Sequence, residues 1–382
     1  MAASPGSPLA DPAVQRLFTL LPDARLVGGC VRDALAGKPG TDVDLATPQP
    51  PERVAAALAA AKIRAIPTGI AHGTVTALID GRPFEITTLR RDVLTDGRHA
   101  EVSWTDDWRE DAARRDFTIN AMSLSRDGTL HDYFGGAADL RAGRVRFVGD
   151  AARRVAEDYL RILRFFRFQA RYGVGQPDAD ALAAIRAGVS GIERLSAERV
   201  WSELKRILQA PDPTASVQLM AQTGVLAAAV PEGAAATGLA HLPPDPLLRT
   251  AAILTGDRAA FAARLKLSLA ETARLVALQG PPPRFVAEGD DADLRRQLAE
   301  TEPEILIGRS LLARQEEAVR DRILAIPPPV FPLEGRDALA IGVPPGPAVG
   351  ALLRKVRAWW LAGGCVADAT VCRAELARLA CD

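Results

Sequence analysis

The sequence predicts an α+β N-terminal unit built on a small sheet, followed by an all-α C-terminal region. Three observations predict it. Strand-like and helix-like segments alternate through the first 140 or so residues, and strand signals fade after about residue 150. Proline-rich breaks at 211–213, 243–246, 281–283 and 327–332 then separate one helical stretch from the next. A chain of 382 residues also exceeds one compact core, so two or more units are expected.

In order along the chain, 24–27 reads as a strand ending in a Gly-Gly turn, and 31–36 as a short helix. Alternation makes 42–46 a strand, and the alanine-rich 52–61 a helix. Segments 74–79 and 83–88 flank Asp80-Gly81, a dipeptide suited to a tight hairpin connection. Residues 90–109 lack periodicity and contain the polar run Thr95-Asp96-Gly97-Arg98-His99, which predicts a mobile loop. Helical patterns then cover 155–171, 181–186, 197–208, 214–222, 247–254, 258–278 and 349–362.

Composition excludes several classes. Apolar residues make up 48% and charged residues 25%, ordinary for a globular protein. No apolar run approaches the roughly 18–20 residues that span a bilayer, so no membrane partner is expected. Residues 1–12 lack the basic start and apolar stretch of a signal peptide. Cys30, Cys365, Cys372 and Cys381 show no CxxC spacing, which argues against zinc or a disulfide framework and predicts a reducing cytoplasm. The formal net charge is zero, yet arginines recur every few residues between 141 and 171 with few acids among them. A local basic stripe, not the net charge, decides phosphate binding.

Asp42-Val43-Asp44 is the first segment with chemistry in it. On a strand, residues i and i+2 share a face, so two carboxylates converge and repel. A hard dication such as Mg²⁺ relieves that repulsion and keeps positions open for phosphate oxygens, and a pair of such ions activates a hydroxyl and stabilises leaving pyrophosphate. Asp42 and Asp44 are therefore the candidate catalytic and metal-binding residues, with Glu85 on the neighbouring hairpin as a further carboxylate. Ten residues earlier, Gly28-Gly29-Cys30-Val31-Arg32-Asp33 opens a helix after a strand. Glycines there allow close backbone approach, helix-end N–H groups favour an anion, and Arg32 adds a charge-assisted contact to a triphosphate.

Gly-Gly-x-x-Arg-Asp followed by Asp-x-Asp resembles the polymerase β superfamily, specifically class II tRNA nucleotidyltransferases and bacterial poly(A) polymerases. The resemblance continues through Phe84-Glu85-Ile86-Thr87-Thr88-Leu89-Arg90, Thr95–Ala100, Arg114-Arg115-Asp116-Phe117-Thr118-Ile119-Asn120-Ala121-Met122 and Glu157-Asp158-Tyr159-Leu160-Arg161-Ile162-Leu163-Arg164. It covers roughly 25–210. It implies a polymerase β-like nucleotidyltransferase head over 1–145, a helical nucleotide-recognition neck over 146–210 and a helical tRNA-binding body and tail over 211–382. It further implies CTP and ATP as substrates, the tRNA acceptor arm as partner, and nucleotide contacts from Gly29, Arg32 and Arg115. The Arg-Arg-Asp element is associated with the ribose in this family, and Asp116 also suits a helix N-cap.

Segment 157–171 is the most informative. Leu160, Ile162, Leu163, Phe165, Phe166, Phe168 and Ala170 make it apolar nearly all round, which predicts burial, yet it carries Asp158, Arg161, Arg164 and Arg167. Buried guanidinium groups need anionic partners, either acidic neighbours or a triphosphate. On one helix, Asp158 and Arg161 would be neighbours at i,i+3. A carboxylate accepts from an exocyclic amine, and a guanidinium donates to a ring nitrogen. Cytosine and adenine present that pattern, whereas uracil and guanine present the opposite. The resemblance assigns this role to the Glu-Asp-x-x-Arg element.

Elsewhere Glu198, Arg199 and Glu203 read as structural charges on an amphipathic helix, and His72 and His99 as histidines without a nameable partner. No His-Asp pair of the phosphohydrolase type follows. A poly(A) polymerase carries a basic segment after the Asp-x-Asp, and here Gly69-Ile70-Ala71-His72-Gly73-Thr74-Val75 stands in that place, which favours tRNA maturation. A poly(A) polymerase or an enzyme adding only CC or only A on the same scaffold, and a non-catalytic nucleotide- or RNA-binding module, are the alternatives.

Overall fold

The computed structural model describes residues 7–40, 42–69, 73–95, 100–284 and 291–381. His72, His99 and the run Asp96–His99 lie outside them. The chain forms two compact units, Met1–Thr237 and Gly238–Asp382.

In the first unit, Asp11 caps helix α1 (Pro12–Leu20) by accepting from the Ala13 N–H, and Pro12 occupies its first turn. Strand β1 (Arg25–Val27), helix α2 (Gly29–Leu35), strand β2 (Asp44–Thr47), helix α3 (Pro51–Ala60) and strands β3 (Arg64–Gly69), β4 (Thr74–Ile79) and β5 (Arg82–Thr88) follow. Asp80 and Gly81 both take positive φ, 51° and 75°, which matches the twist a two-residue hairpin needs. Strands β6 (Arg90–Thr95) and β7 (Ala100–Trp104), helix α4 (Trp108–Ala113), strands β8 (Ser123–Leu124) and β9 (Leu130–His131) and helix α5 (Gly136–Arg141) complete the head.

The main sheet runs β3-β4-β5-β2-β1-β8-β9, with β2 and β5 parallel and the other pairs antiparallel. Val14, Leu17, Phe18, Leu26, Leu45, Leu58, Phe84 and Ile86 bury its packed face. The sheet therefore holds the β2 entrance fixed at its centre. Two expectations are corrected here. The described residues of segment 90–109 are not loop: β6 pairs with β7, and Asp107 caps α4, while 96–99 lie outside the described residues. Strand β2 starts at Asp44, so Asp42 precedes it and is exposed.

Helices α6 (Ala151–Glu157), α7 (Leu160–Tyr172), α8 (Ala179–Gly188), α9 (Ala197–Leu208), α10 (Thr214–Gln222) and α11 (Val225–Ala229) finish this unit. The expected continuous helix over 155–171 is broken at Asp158, whose backbone is extended (φ −157°, ψ 108°). An aromatic cluster seats α7 on the head. Phe117 stacks on Phe147 at 4.8 Å between centroids and meets Phe168 edge-on at 5.2 Å, and Phe165 packs edge-on against Phe166. Such pairs add about 0.5–1.5 kcal/mol each beyond their burial.

The second unit is helical throughout its described residues: α12 (Pro246–Ile253), α13 (Arg258–Arg264), α14 (Leu269–Ala277), α15 (Ala292–Leu298), α16 (Pro303–Leu312), α17 (Glu317–Ala325), α18 (Gly335–Ala340), α19 (Pro347–Ala362) and α20 (Ala369–Cys381). The single helix expected over 258–278 divides because Lys266 takes positive φ and Ser268 with Glu271 builds a capping box. Among the described residues no helix is long and apolar enough to cross a membrane.

Candidate nucleotide-binding site

One cleft of about 1010 Å³ in the first unit is lined by all nine residues singled out in the sequence: Gly29, Arg32, Asp42, Asp44, Arg115, Asp158, Arg161, Arg164 and Arg167. Its lining carries ten cationic side chains against four carboxylates, so a chain of zero net charge concentrates positive charge at one place. That balance suits a polyanion.

The floor comes from the sheet. Asp44 sits at the β2 entrance in register with Glu85 of parallel β5. Burial pushes its carboxyl up to about 6, the Glu85 and Asp42 charges push the same way, and Arg115 opposes them. The segment before α2 turns at Gly28, with φ 69°, so a side chain there would be strained. Arg32 is buried. Its Nε donates to Asp33 Oδ1 at 3.0 Å, its Nη1 donates to Asn120 Oδ1 at 2.5 Å, and it packs over the Phe168 and Tyr172 rings. Arg114 and Arg115 both pair with buried Asp111.

The opposite wall is α7. Its apolar side buries Ile162, Leu163, Phe165 and Phe166, while Arg161, Arg164, Arg167 and Arg171 repeat every three or four residues along the cleft. Acidic neighbours, not a missing ligand, satisfy the first three. Arg161 Nη1 donates to Glu157 at 2.5 Å and to the Arg154 carbonyl at 2.9 Å. Arg164 pairs with Asp116 at 2.6 Å, and Arg167 with buried Glu203 at 2.9 Å. Burial lowers Arg167 to about 10, helped by the Arg164 charge. Burial alone would raise the Asp116 carboxyl, but the Arg164 charge, the Asn120 amide and the Phe117 N–H outweigh it and hold it below the usual range. Asp116 is not the helix cap the sequence suggested, since Phe117 takes the N-cap position of the turn that follows; its Oδ1 accepts from the Phe117 N–H and the Asn120 amide, while its second oxygen anchors α7 to the head.

The Asp158–Arg161 relation differs from the i,i+3 pair expected on a helix. Asp158 stands before α7, where Oδ1 accepts the Leu160 N–H at 3.0 Å and Oδ2 accepts from Arg199 at 2.7 Å. The two side chains still line the same cleft. Each carboxylate oxygen keeps a lone pair, and both hydrogen bonds of Arg161 use Nη1. An acceptor and a donor edge thus remain within one cleft.

Removing the Asp116 carboxylate should cost roughly 3 kcal/mol of stability, because Arg164 is left partly buried without its anion. Urea unfolding of Asp116→Ala checks this. Asp111, Asp116 and Glu157 all have lowered folded-state pKa values, so the stability they contribute is complete above the unfolded value of about 4 and disappears as pH falls through the folded values. Melting temperature should fall steeply on acidification below about pH 4, and more gently in Asp116→Ala.

Sequence reading missed Lys38, Asn120, Arg171, Tyr172, Arg199 and Arg206 as lining residues; Arg199, read as a structural charge, lines the cleft, whereas Glu203 is the structural charge expected, buried against Arg167. One signal was present. Arg199, Glu203 and Arg206 repeat at spacings of four and three opposite the buried Val200, Trp201, Leu204, Ile207 and Leu208, so α9 offers a charged stripe to that of α7.

Residues 24–146 match the family model described as the poly A polymerase head domain, and 176–237 match a probable RNA and SrmB-binding site of polymerase A. The mitochondrial CCA tRNA nucleotidyltransferase 1 of Danio rerio is 37% identical over 361 residues, spanning 88% of this chain and 83% of that protein. A CCA-adding enzyme of Streptococcus pyogenes is 42% identical over 191 residues, 50% of this chain and 46% of its own length. The crystal structure of the Bacillus stearothermophilus CCA-adding enzyme in complex with CTP superposes with a TM-score of 0.78 at 26% identity, covering 96% of this chain and 98% of that one. With that extent of identity and the same head-then-helices layout, the chain belongs to the CCA tRNA nucleotidyltransferase family of the polymerase β superfamily.

Proposed function

We propose that the chain adds CCA to tRNA 3′ ends from CTP and ATP without a nucleic-acid template, releasing pyrophosphate. The observation that carries this reading is the shared cleft, in which an amine acceptor and a guanidinium donor lie with Asp44 at the β2 entrance and Asp42 just before it. Asp158 accepts the exocyclic amine of cytosine or adenine, and Arg161 donates to the adjacent ring nitrogen. Uracil and guanine would leave both groups mismatched, a penalty of about 10⁴–10⁵ at a site built for hydrogen bonds. Arg199 and Glu157 fix the orientation of the two readers. Arg32 and Arg115 neutralise the triphosphate, and Gly29 lets it approach the backbone.

Family chemistry calls for a divalent cation, and the donor set fits Mg²⁺. Asp42 and Asp44 offer hard oxygens, and the elevated Asp44 pKa signals negative charge in want of a counterion. When bound, the ion supplies Lewis-acid activation of the primer hydroxyl and charge stabilisation for departing pyrophosphate. The primer 3′-hydroxyl oxygen would bond to the α-phosphorus as the bond between the α-phosphorus and the bridging oxygen breaks, its proton passing to solvent and pyrophosphate leaving with the bridging oxygen.

The head spans 1–145, the neck 146–210 and the tRNA-gripping body 211–382; the RNA-binding match over 176–237 supports RNA contact where neck meets body. Three buried, unpaired cysteines and the exposed Cys381 suit a reducing compartment, which we take to be the cytoplasm. Incubating the protein with tRNA lacking CCA, Mg²⁺ and each nucleotide alone or combined, then sequencing product ends, tests the activity. Addition of CC from CTP and of A after ATP is the expected result. A long A-tail, one or two residues only, or no addition would overturn it.

A further inference from the structure

Eight of the ten cations lining the cleft have a carboxylate within ion-pair distance. Lys38 and Arg171 are the other two. Lys38 Nζ donates to the Arg171 carbonyl at 2.5 Å, which brings its charge close to the Arg171 side chain's own. Both lie against Tyr172, with Lys38 Nζ 4.4 Å and Arg171 Cζ 6.0 Å from the ring centroid. The Tyr172 hydroxyl donates to Asp33, and Arg32 lies 4.6 Å over the same ring. Tyr172 thus gathers three cations around one aromatic plane, and Asp33 is already committed to Arg32. Burial and the Arg171 charge lower the Lys38 pKa, the direction expected for a cation short of an anion.

Position along α7 says which anion. Arg171 lies ten residues from Arg161, a rise of about 15 Å toward the far end of the helix. A nucleotide with its base edge at Asp158 and Arg161 and its phosphates laid along α7 would pass Arg164 and Arg167 and end toward Arg171. We propose that Lys38 and Arg171, steadied by Tyr172, form the subsite for the terminal phosphate of the incoming nucleoside triphosphate. The inference rests on the nucleotide-selecting reading of the same cleft. It adds that the protein distinguishes a triphosphate from a monophosphate at this pair, and that pyrophosphate leaves from it.

Calorimetric titration of CTP, CMP and inorganic pyrophosphate into the parent chain, Lys38→Gln and Arg171→Gln tests it, with steady-state KM for CTP and for tRNA measured alongside. Arg171 is exposed, so its substitution leaves folding intact, and melting curves verify this for both variants. The expected result is about tenfold weaker CTP and pyrophosphate binding in each variant, unchanged CMP affinity, and a raised KM for CTP but not tRNA. Equal weakening of CMP, or a KM effect on tRNA alone, would overturn it; the latter would give the pair to an RNA phosphodiester. If the parent chain binds CTP and the variants match it, this inference fails alone. If the parent discriminates no nucleotide, the underlying reading fails first.

Discussion

Replacing Asp158 with alanine lowers kcat/KM for CTP and ATP by about 100-fold or more and leaves UTP and GTP almost where they were, so selection among bases collapses. The cause is local. The carboxylate is the acceptor that the N4 or N6 amine needs; among the described lining residues the other carboxylates, Asp42, Asp44 and Asp116, come from the head, and Glu157 is bonded to Arg161. Asp158→Asn keeps one scaffolding bond and loses the other, because its NH₂ replaces the oxygen that accepts from Arg199. The amide oxygen still accepts the Leu160 N–H, so the start of α7 survives. Its NH₂ now donates, which suits the carbonyl of uracil or guanine, so the preference should shift toward UTP. Single-nucleotide incorporation rates for the four triphosphates measure both variants. An unaltered preference in Asp158→Asn would remove Asp158 from base selection.

Asp44→Asn abolishes nucleotide addition, by about 10³-fold or more, and at the same time stabilises the metal-free fold. The stability sign follows from the raised folded-state pKa of about 6 against an unfolded value near 4. Between those values the folded chain holds a proton that the unfolded chain has released, so stability rises as pH falls through 6 and is fully recovered below about 4. Above pH 6 the ionised carboxylate is held against its neighbours. Asp44→Asn removes that repulsion, a gain of roughly 1–2 kcal/mol at pH 8 that vanishes near pH 4. Mg²⁺ should raise the melting temperature of the parent chain and have little effect on the variant. A variant less stable than the parent at pH 8, or one that retains activity, would contradict the assignment of this residue.

What could be read from the sequence, and what could not, divides on physical grounds. Periodicity and turn chemistry are local, so the Asp80-Gly81 hairpin and the amphipathic α9 were legible. So was the concentration of chemistry in the Gly-Gly, Asp-x-Asp and 157–167 segments, because each combines residue types that burial alone would not select. The break at Asp158 was not legible, since apolar and charged spacing runs through it without a proline or glycine. The tertiary bond to Arg199, on a helix 41 residues away, joins the local bond from the Leu160 N–H in holding that carboxylate at the start of α7. The pairing of Arg164 with Asp116 and of Arg167 with Glu203 is non-local in the same way, which is why the sequence pointed to a triphosphate for these arginines and did not reveal their acidic partners. Strands β6 and β7 escaped because their pairing, not their hydrophobic pattern, makes them strands.

A crystal structure of the chain with Mg²⁺ and a non-hydrolysable CTP analogue tests the central claim most directly. The account predicts the cytosine amine within hydrogen-bond distance of the Asp158 carboxylate, its N3 facing Arg161, and the α-phosphate beside Asp42 and Asp44. A base lodged elsewhere, with Asp158 and Arg161 touching only Arg199 and Glu157, would contradict it.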